Sequence, residues 1–174
     1  AAAVMLPIML WLQTMQGIPA GEAGIIVAPM ALVSLLISPL AGIMAEYVNP
    51  RILGVVGFSL LILSLLAAWW VMHVDALPWV LGLPIAGLGV GQSFIWGSNA
   101  ATTLRDVPPV LMGAASGVYN TSRQVGSVVG VALVSAVMQT GDPAVALINS
   151  LLVIVVALVV GLVSALCFRD TLQG

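Results

Sequence analysis

The sequence predicts an all-α membrane protein in which six transmembrane helices form one bundle. Three observations predict it. Hydrophobic residues make up 61% of the 174 positions and charged residues only 6%, where an ordinary soluble domain carries about 25% charged residues; the mean hydropathy is +1.22. The few charges are sorted: Glu22, Glu46, Arg51, His73, Asp75, Arg105, Asp106, Asp142, Arg169 and Asp170 separate uncharged runs long enough to cross a bilayer, which takes about 20 helical residues. Blocks such as "LLILSLLAAWW" and "LLVIVVALVVGLV" are apolar on every side, without the alternation of a barrel strand. In lipid such a run satisfies its backbone only as a helix.

The six segments are 1–16, 25–45, 52–72, 78–101, 110–138 and 145–167. The first opens "AAAVM" with no basic region before it, so it is no signal peptide; the chain reads as a piece of a longer membrane protein. Gly17, Pro19 and Gly21 end this segment. The second holds Pro29 and Pro39, which free backbone carbonyls and predict a curved or hinged helix. The third carries no polar pattern; Trp69 and Trp70 at its end read as an interfacial belt. It and the sixth segment are expected to face lipid over much of their circumference.

The fourth and fifth segments differ. Gly87 and Gly91 stand one turn apart and predict close approach of another helix. Gln92, Trp96, Asn99 and Thr103 recur at i, i+4, i+7 and i+11, one stripe on a helix. In the fifth segment Asn120, Arg123 and Ser127 fall within about 40° of Ser116 at 100° per residue, with Gln124 at the edge of that sector and Val118, Ser122, Val125 and Val129 on an opposite, mostly apolar face. Gly113 with Gly117, and Gly126 with Gly130, again predict tight packing. Arg123 is the one charge inside a segment. A charge at mid-bilayer costs roughly 2.5–3.5 kcal/mol on insertion scales, so both stripes are expected to face a cavity or a buried network. The predicted cavity residues are Gln92, Trp96, Asn99, Asn120, Arg123 and Gln124. Arginine stays charged, and no Asp or Glu lies in the middle of a segment, so a proton carrier is expected on another part of the protein.

Loops alternate sides. Those at 46–51 and 102–109 and the C-terminal tail carry Arg51, Arg105 and Arg169; those at 17–24, 73–77 and 139–144 carry no Lys or Arg. The positive-inside rule puts the arginine side, and with it the C-terminus, in the cytoplasm. Other function classes find little support. The single Cys167 excludes a disulfide framework and a Cys-based metal site. The one histidine, His73, is predicted in an outer loop, and no Gly-x-Ser-x-Gly elbow occurs, which argues against an intramembrane serine hydrolase or another enzyme. Nothing calls for a cofactor, a metal or nucleic acid.

Four stretches carry a family resemblance. "GIMAEYVNPR", Gly42 to Arg51, is similar to the cytoplasmic signature loop of the major facilitator superfamily, G-x-L-A-D-R-x-G-x-R. Gly42, Ala45 and Arg51 are in register and Glu46 stands in place of Asp, while Tyr47 and Asn49 depart from the pattern. "QGIPAGEAGIIVAP" resembles an outer loop and helix start of the fourteen-helix drug:proton antiporter branch, and "GLGVGQS" that branch's glycine-rich helix. "GAASGVYNTSRQVGSVVGVAL" resembles a stretch of the same branch almost residue for residue. The resemblance implies the C-terminal six-helix half of a fourteen-helix transporter of the prokaryotic inner membrane, its partners being the missing N-terminal helices, protons, lipid and a small hydrophobic or amphipathic substrate. It implies proton-coupled multidrug export by alternating access between two bundles, with Gly42, Glu46 and Arg51 in an inner-gate loop. The alternative is an accessory or assembly subunit of six helices with no transport of its own.

Overall fold

Six helical segments follow one another along the chain. The computed structural model describes residues 2–104 and 107–166; Arg105, Asp106, Cys167, Arg169 and Asp170, used above for orientation and thiol chemistry, lie outside the described residues. Helix α1 covers Ala2–Leu10 and widens into a π-helical turn over Trp11–Met15. Helices α2 (Ala20–Tyr47), α3 (Pro50–His73), α4 (Gly82–Leu104), α5 (Met112–Met138) and α6 (Pro143–Leu166) follow, with single 3₁₀ turns at Pro78–Leu81 and Pro109–Leu111 leading into α4 and α5. These match the expected segments to within a few residues. Among the described residues, five helices are long and apolar enough to cross a membrane, and Ala3–Met15 is a shorter apolar helix.

The ends follow from local chemistry. Gly17 and Gly141 turn the chain with positive φ (65° and 73°), a region open to glycine at no steric cost. The Asn49 side chain accepts the Arg51 backbone N–H at 3.0 Å, and Pro50 occupies the first helical position of α3, where its missing N–H costs nothing. The Asp142 carboxylate accepts the Ala144 backbone N–H at 2.8 Å and caps α6. Helix α2 runs unbroken through Pro29 and Pro39.

Helix α4 lies between α2 and α3; α3 packs on α6, and α6 in turn on α5 and α1. Glycines set the closest crossings. A Cβ added to Gly91 would stand 2.9 Å from the Gly57 carbonyl of α3, and one on Gly89 would stand 2.5 Å from the Met30 carbonyl of α2. The close approach predicted at Gly87 and Gly91 is therefore made, against α3. Among the described residues that predicted at Gly113, Gly117 and Gly126 is not: a Cβ there would meet nothing within 4 Å, and one on Gly130 would only touch Ala3 at 3.9 Å.

Helix α3 departs from its expected lipid exposure. Gly57, Leu61 and Ser64 repeat at i, i+4 and i+7, and this ridge meets Gly87 and Gly91 of α4. Phe58 presses on Gly161 of α6. Only one face, with Val56, Leu63, Leu66 and Trp70, stays open. The predicted tryptophan belt also divides. Trp70 is exposed, while Trp69 packs on the core and stacks on His73 with ring centres 5.1 Å apart.

The main apolar cluster sits toward one end of the bundle. Ile8, Trp11 and Leu12 of the first helical segment meet Ile26 of α2, Leu65 and Met72 of α3, Leu81 of the 3₁₀ turn before α4, Ile85 and Leu88 of α4, and Leu151 of α6. There the Gln16 side-chain amide also donates to the Asp75 carboxylate, tying the loop after α1 to the loop after α3.

Candidate functional site

The site begins with what holds α4 in place. On its α2 side the Gly89 carbonyl accepts two hydroxyls, Ser34 of α2 at 3.1 Å and Ser93 of α4 itself at 2.9 Å. Ser38 donates to Ser93 at 3.4 Å. A backbone carbonyl with two hydroxyl donors in an apolar setting makes a local, directional link, so this serine seam and the glycine contacts with α3 fix how α4 is rotated. The seam was not anticipated, although Ser34 and Ser38, one turn apart, carry its signal.

With that rotation set, one face of α4 runs from core to open space. Leu81, Ile85 and Leu88 share, at 100° per residue, the face of Gln92, Trp96, Asn99 and Thr103. Leu81, Ile85 and Leu88 are at most 2% exposed. Gln92 is half-buried, Trp96 is 46% exposed, and Asn99 and Thr103 are exposed. The predicted stripe is thus the continuation of the core face where neighbouring helices cease to cover it.

Helix α5 meets this open stretch from the other side. It packs on α6 and only sparingly on α4. Asn120, Arg123, Gln124 and Ser127 are exposed, as expected of a cavity stripe. The opposite face, Val118, Val125 and Val129, is exposed as well. The structure brings two predicted residues from different helices together: the Arg123 guanidinium carbon lies 4.1 Å from the centre of the Trp96 ring. That is cation–π geometry, worth about 0.5–1 kcal/mol where exposed and about 2 or more when desolvated. The expected amide and hydroxyl network around Arg123 is not formed among the described residues; its partner there is the Trp96 ring. Gln92 and Asn99 stand on the Trp96 face, one turn to either side, and Asn120 and Gln124 flank Arg123 on α5.

The predicted inner-gate loop is the tight α2–α3 turn. Gly42 is exposed in the last turns of α2, and a Cβ there would meet nothing within 4 Å. Arg51 is in the first turn of α3, beside the Asn49 cap. Glu46 belongs to the last turn of α2, and its side chain lies outside the described residues.

Comparison with known proteins gives the family. The model of the Major Facilitator Superfamily matches residues 1–131. The chain belongs to the Major Facilitator Superfamily. It is a multi-pass membrane protein of a family of transporters, all-α, and the bundle described above is part of a facilitator fold. It is 34% identical over 137 residues to an uncharacterized MFS-type transporter of Mycobacterium tuberculosis, covering 78% of this chain and 23% of the relative. It is 27% identical over 128 residues to the multidrug resistance protein Stp of the same species, covering 74% and 24%. It is 26% identical over 143 residues to the lincomycin resistance protein LmrB of Listeria innocua, covering 81% and 29%. The chain thus spans about a quarter of the length of these relatives. No solved structure matches it.

Proposed function

We propose that this facilitator chain is the C-terminal six-helix half of a proton-coupled exporter of hydrophobic or amphipathic compounds. It works by alternating access in a prokaryotic inner membrane, with its C-terminus in the cytoplasm. One observation carries the reading: mid-helix polar groups of α4 and α5, with Arg123 on Trp96, lie on surfaces that the rest of the bundle leaves uncovered. Polar and charged side chains in a membrane face a protein interior or a water-filled route, and facilitator substrates pass between two such bundles near the midplane. Gln92, Trp96, Asn99, Asn120, Arg123 and Gln124 form this half's share of the cavity wall. Stp and LmrB, by their names resistance proteins, support drugs as the cargo class.

The remaining parts of the reading follow from the residues at the ends. Glu22, Glu46, Asp75 and Asp142 stand at helix ends or in loops, so the proton-carrying carboxylate belongs to the other half. Gly42, Glu46 and Arg51 form the inner-gate loop, held in a tight turn by the Asn49 cap. The test is export by the full-length protein in an efflux-deficient bacterial host. Steady-state accumulation of a fluorescent amphipathic dye falls relative to an empty-vector strain, and a protonophore restores it. Equal accumulation with and without the protein refutes the proposal.

A further inference from the structure

The one fixed charge inside the apolar segments is a cation, and its surroundings bear on what passes it. A guanidinium over a ring still has N–H donors to offer other acceptors. Among the described residues no carboxylate pairs with Arg123 and no hydrogen bond takes up these donors. The neighbouring polar groups on the open faces are neutral: Gln92 and Asn99 on α4, Asn120 and Gln124 on α5. Among the described residues the acidic ones, Glu22, Glu46, Asp75 and Asp142, are all at helix ends or beyond them. Among the described residues, then, the open face carries a positive charge at mid-helix that no carboxylate neutralises. The Trp96 ring already has a cation 4.1 Å from its centre.

Both features act in the same direction. A cationic ligand is repelled by Arg123, which already covers one face of the Trp96 ring. A carboxylate, sulfonate or phosphate fits the fork of donors edge-on. Its apolar body has the exposed remainder of Trp96 to lie against. We propose that the Trp96–Arg123 pair is an anion-selecting subsite, so that the preferred substrates are amphipathic compounds bearing an acidic group. This rests on the exporter reading above. An anionic lipid headgroup offers the same chemistry, and the membrane composition used in the test separates the two.

The experiment uses the full-length transporter in proteoliposomes of phosphatidylcholine alone, energised with a pH gradient. The anionic probe is 1-anilinonaphthalene-8-sulfonate and the cationic probe rhodamine 6G. Wild-type protein moves the anionic probe in preference to the cation, and adding phosphatidylglycerol leaves that preference in place. In Arg123→Gln the ratio of anion to cation transport falls at least about tenfold, as expected for loss of a charge-assisted hydrogen bond. Arg123→Lys, a point charge without the fork, keeps part of it. If wild-type protein prefers rhodamine 6G, or if both variants keep the wild-type ratio, the subsite is refuted and export stands. If phosphatidylglycerol abolishes the anion preference, the pair is a lipid site and the substrate assignment fails. If wild-type protein moves neither probe, the exporter reading falls and the subsite with it.

Discussion

The tightest crossing between α2 and α4 allows a sharp test of the packing. In Gly89→Ala the new methyl would stand 2.5 Å from the Met30 carbonyl oxygen and 3.2 Å from the Ser34 hydroxyl, where ordinary contacts begin at 3.4 Å. The Met30 carbonyl is backbone, so relief comes only if α2 backs away by most of an ångström. That movement stretches the Ser34–Gly89 hydrogen bond, now 3.1 Å, out of range at a cost of about 1 kcal/mol. Overpacking of this kind costs roughly 1–3 kcal/mol, and alanine returns about 1 kcal/mol of helix propensity over glycine. The net expected loss is about 2 kcal/mol, roughly thirtyfold in the folded-to-unfolded ratio. The assay is unfolding of the full-length protein by SDS titrated into mild-detergent micelles, followed by tryptophan fluorescence. Gly21→Ala, where a Cβ would meet nothing within 4 Å, is the control and leaves the midpoint in place or raises it. A Gly89→Ala protein that unfolds no earlier than wild type refutes the close α2–α4 approach, and with it the fixed rotation of the α4 polar face.

Two further predictions concern the helix ends. Asp142→Ala removes the cap of α6 and lowers stability by about 1 kcal/mol, read in the same titration; Asp142→Asn restores most of it. In a cysteine-free background of the full-length protein, Asp75→Cys reacts with a membrane-impermeant maleimide added to intact cells, whereas Val110→Cys, which is 94% exposed at the other end of the bundle, reacts only after the membrane is permeabilised. The reverse pattern overturns the inside–outside assignment.

Hydropathy and the placement of charge already determined that this protein is a set of membrane helices, where each begins and ends within a few residues, and which two carry polar stripes. The reason is that the bilayer imposes its penalty residue by residue: every uncharged run must hydrogen-bond itself as a helix, and every stripe of amides is visible at 100° per residue. The four family-like stretches were legible in the same local way, and they led to the facilitator family that the comparison with known proteins assigns. Which glycines serve as contacts was decided only by tertiary structure. Gly87, Gly89 and Gly91 touch neighbouring helices while Gly113, Gly117 and Gly126 do not, although the spacing is alike, because a small residue permits approach without specifying the partner. The same holds for α3, whose apolar sequence concealed a packed ridge, since burial depends on which neighbour arrives. The meeting of Trp96 with Arg123 also belongs to the fold. Their helices are joined through the loop that precedes α5, but their separation is set by how α4, held by Ser34, Ser93 and Gly57, is turned toward α5, and no local sequence pattern encodes that angle.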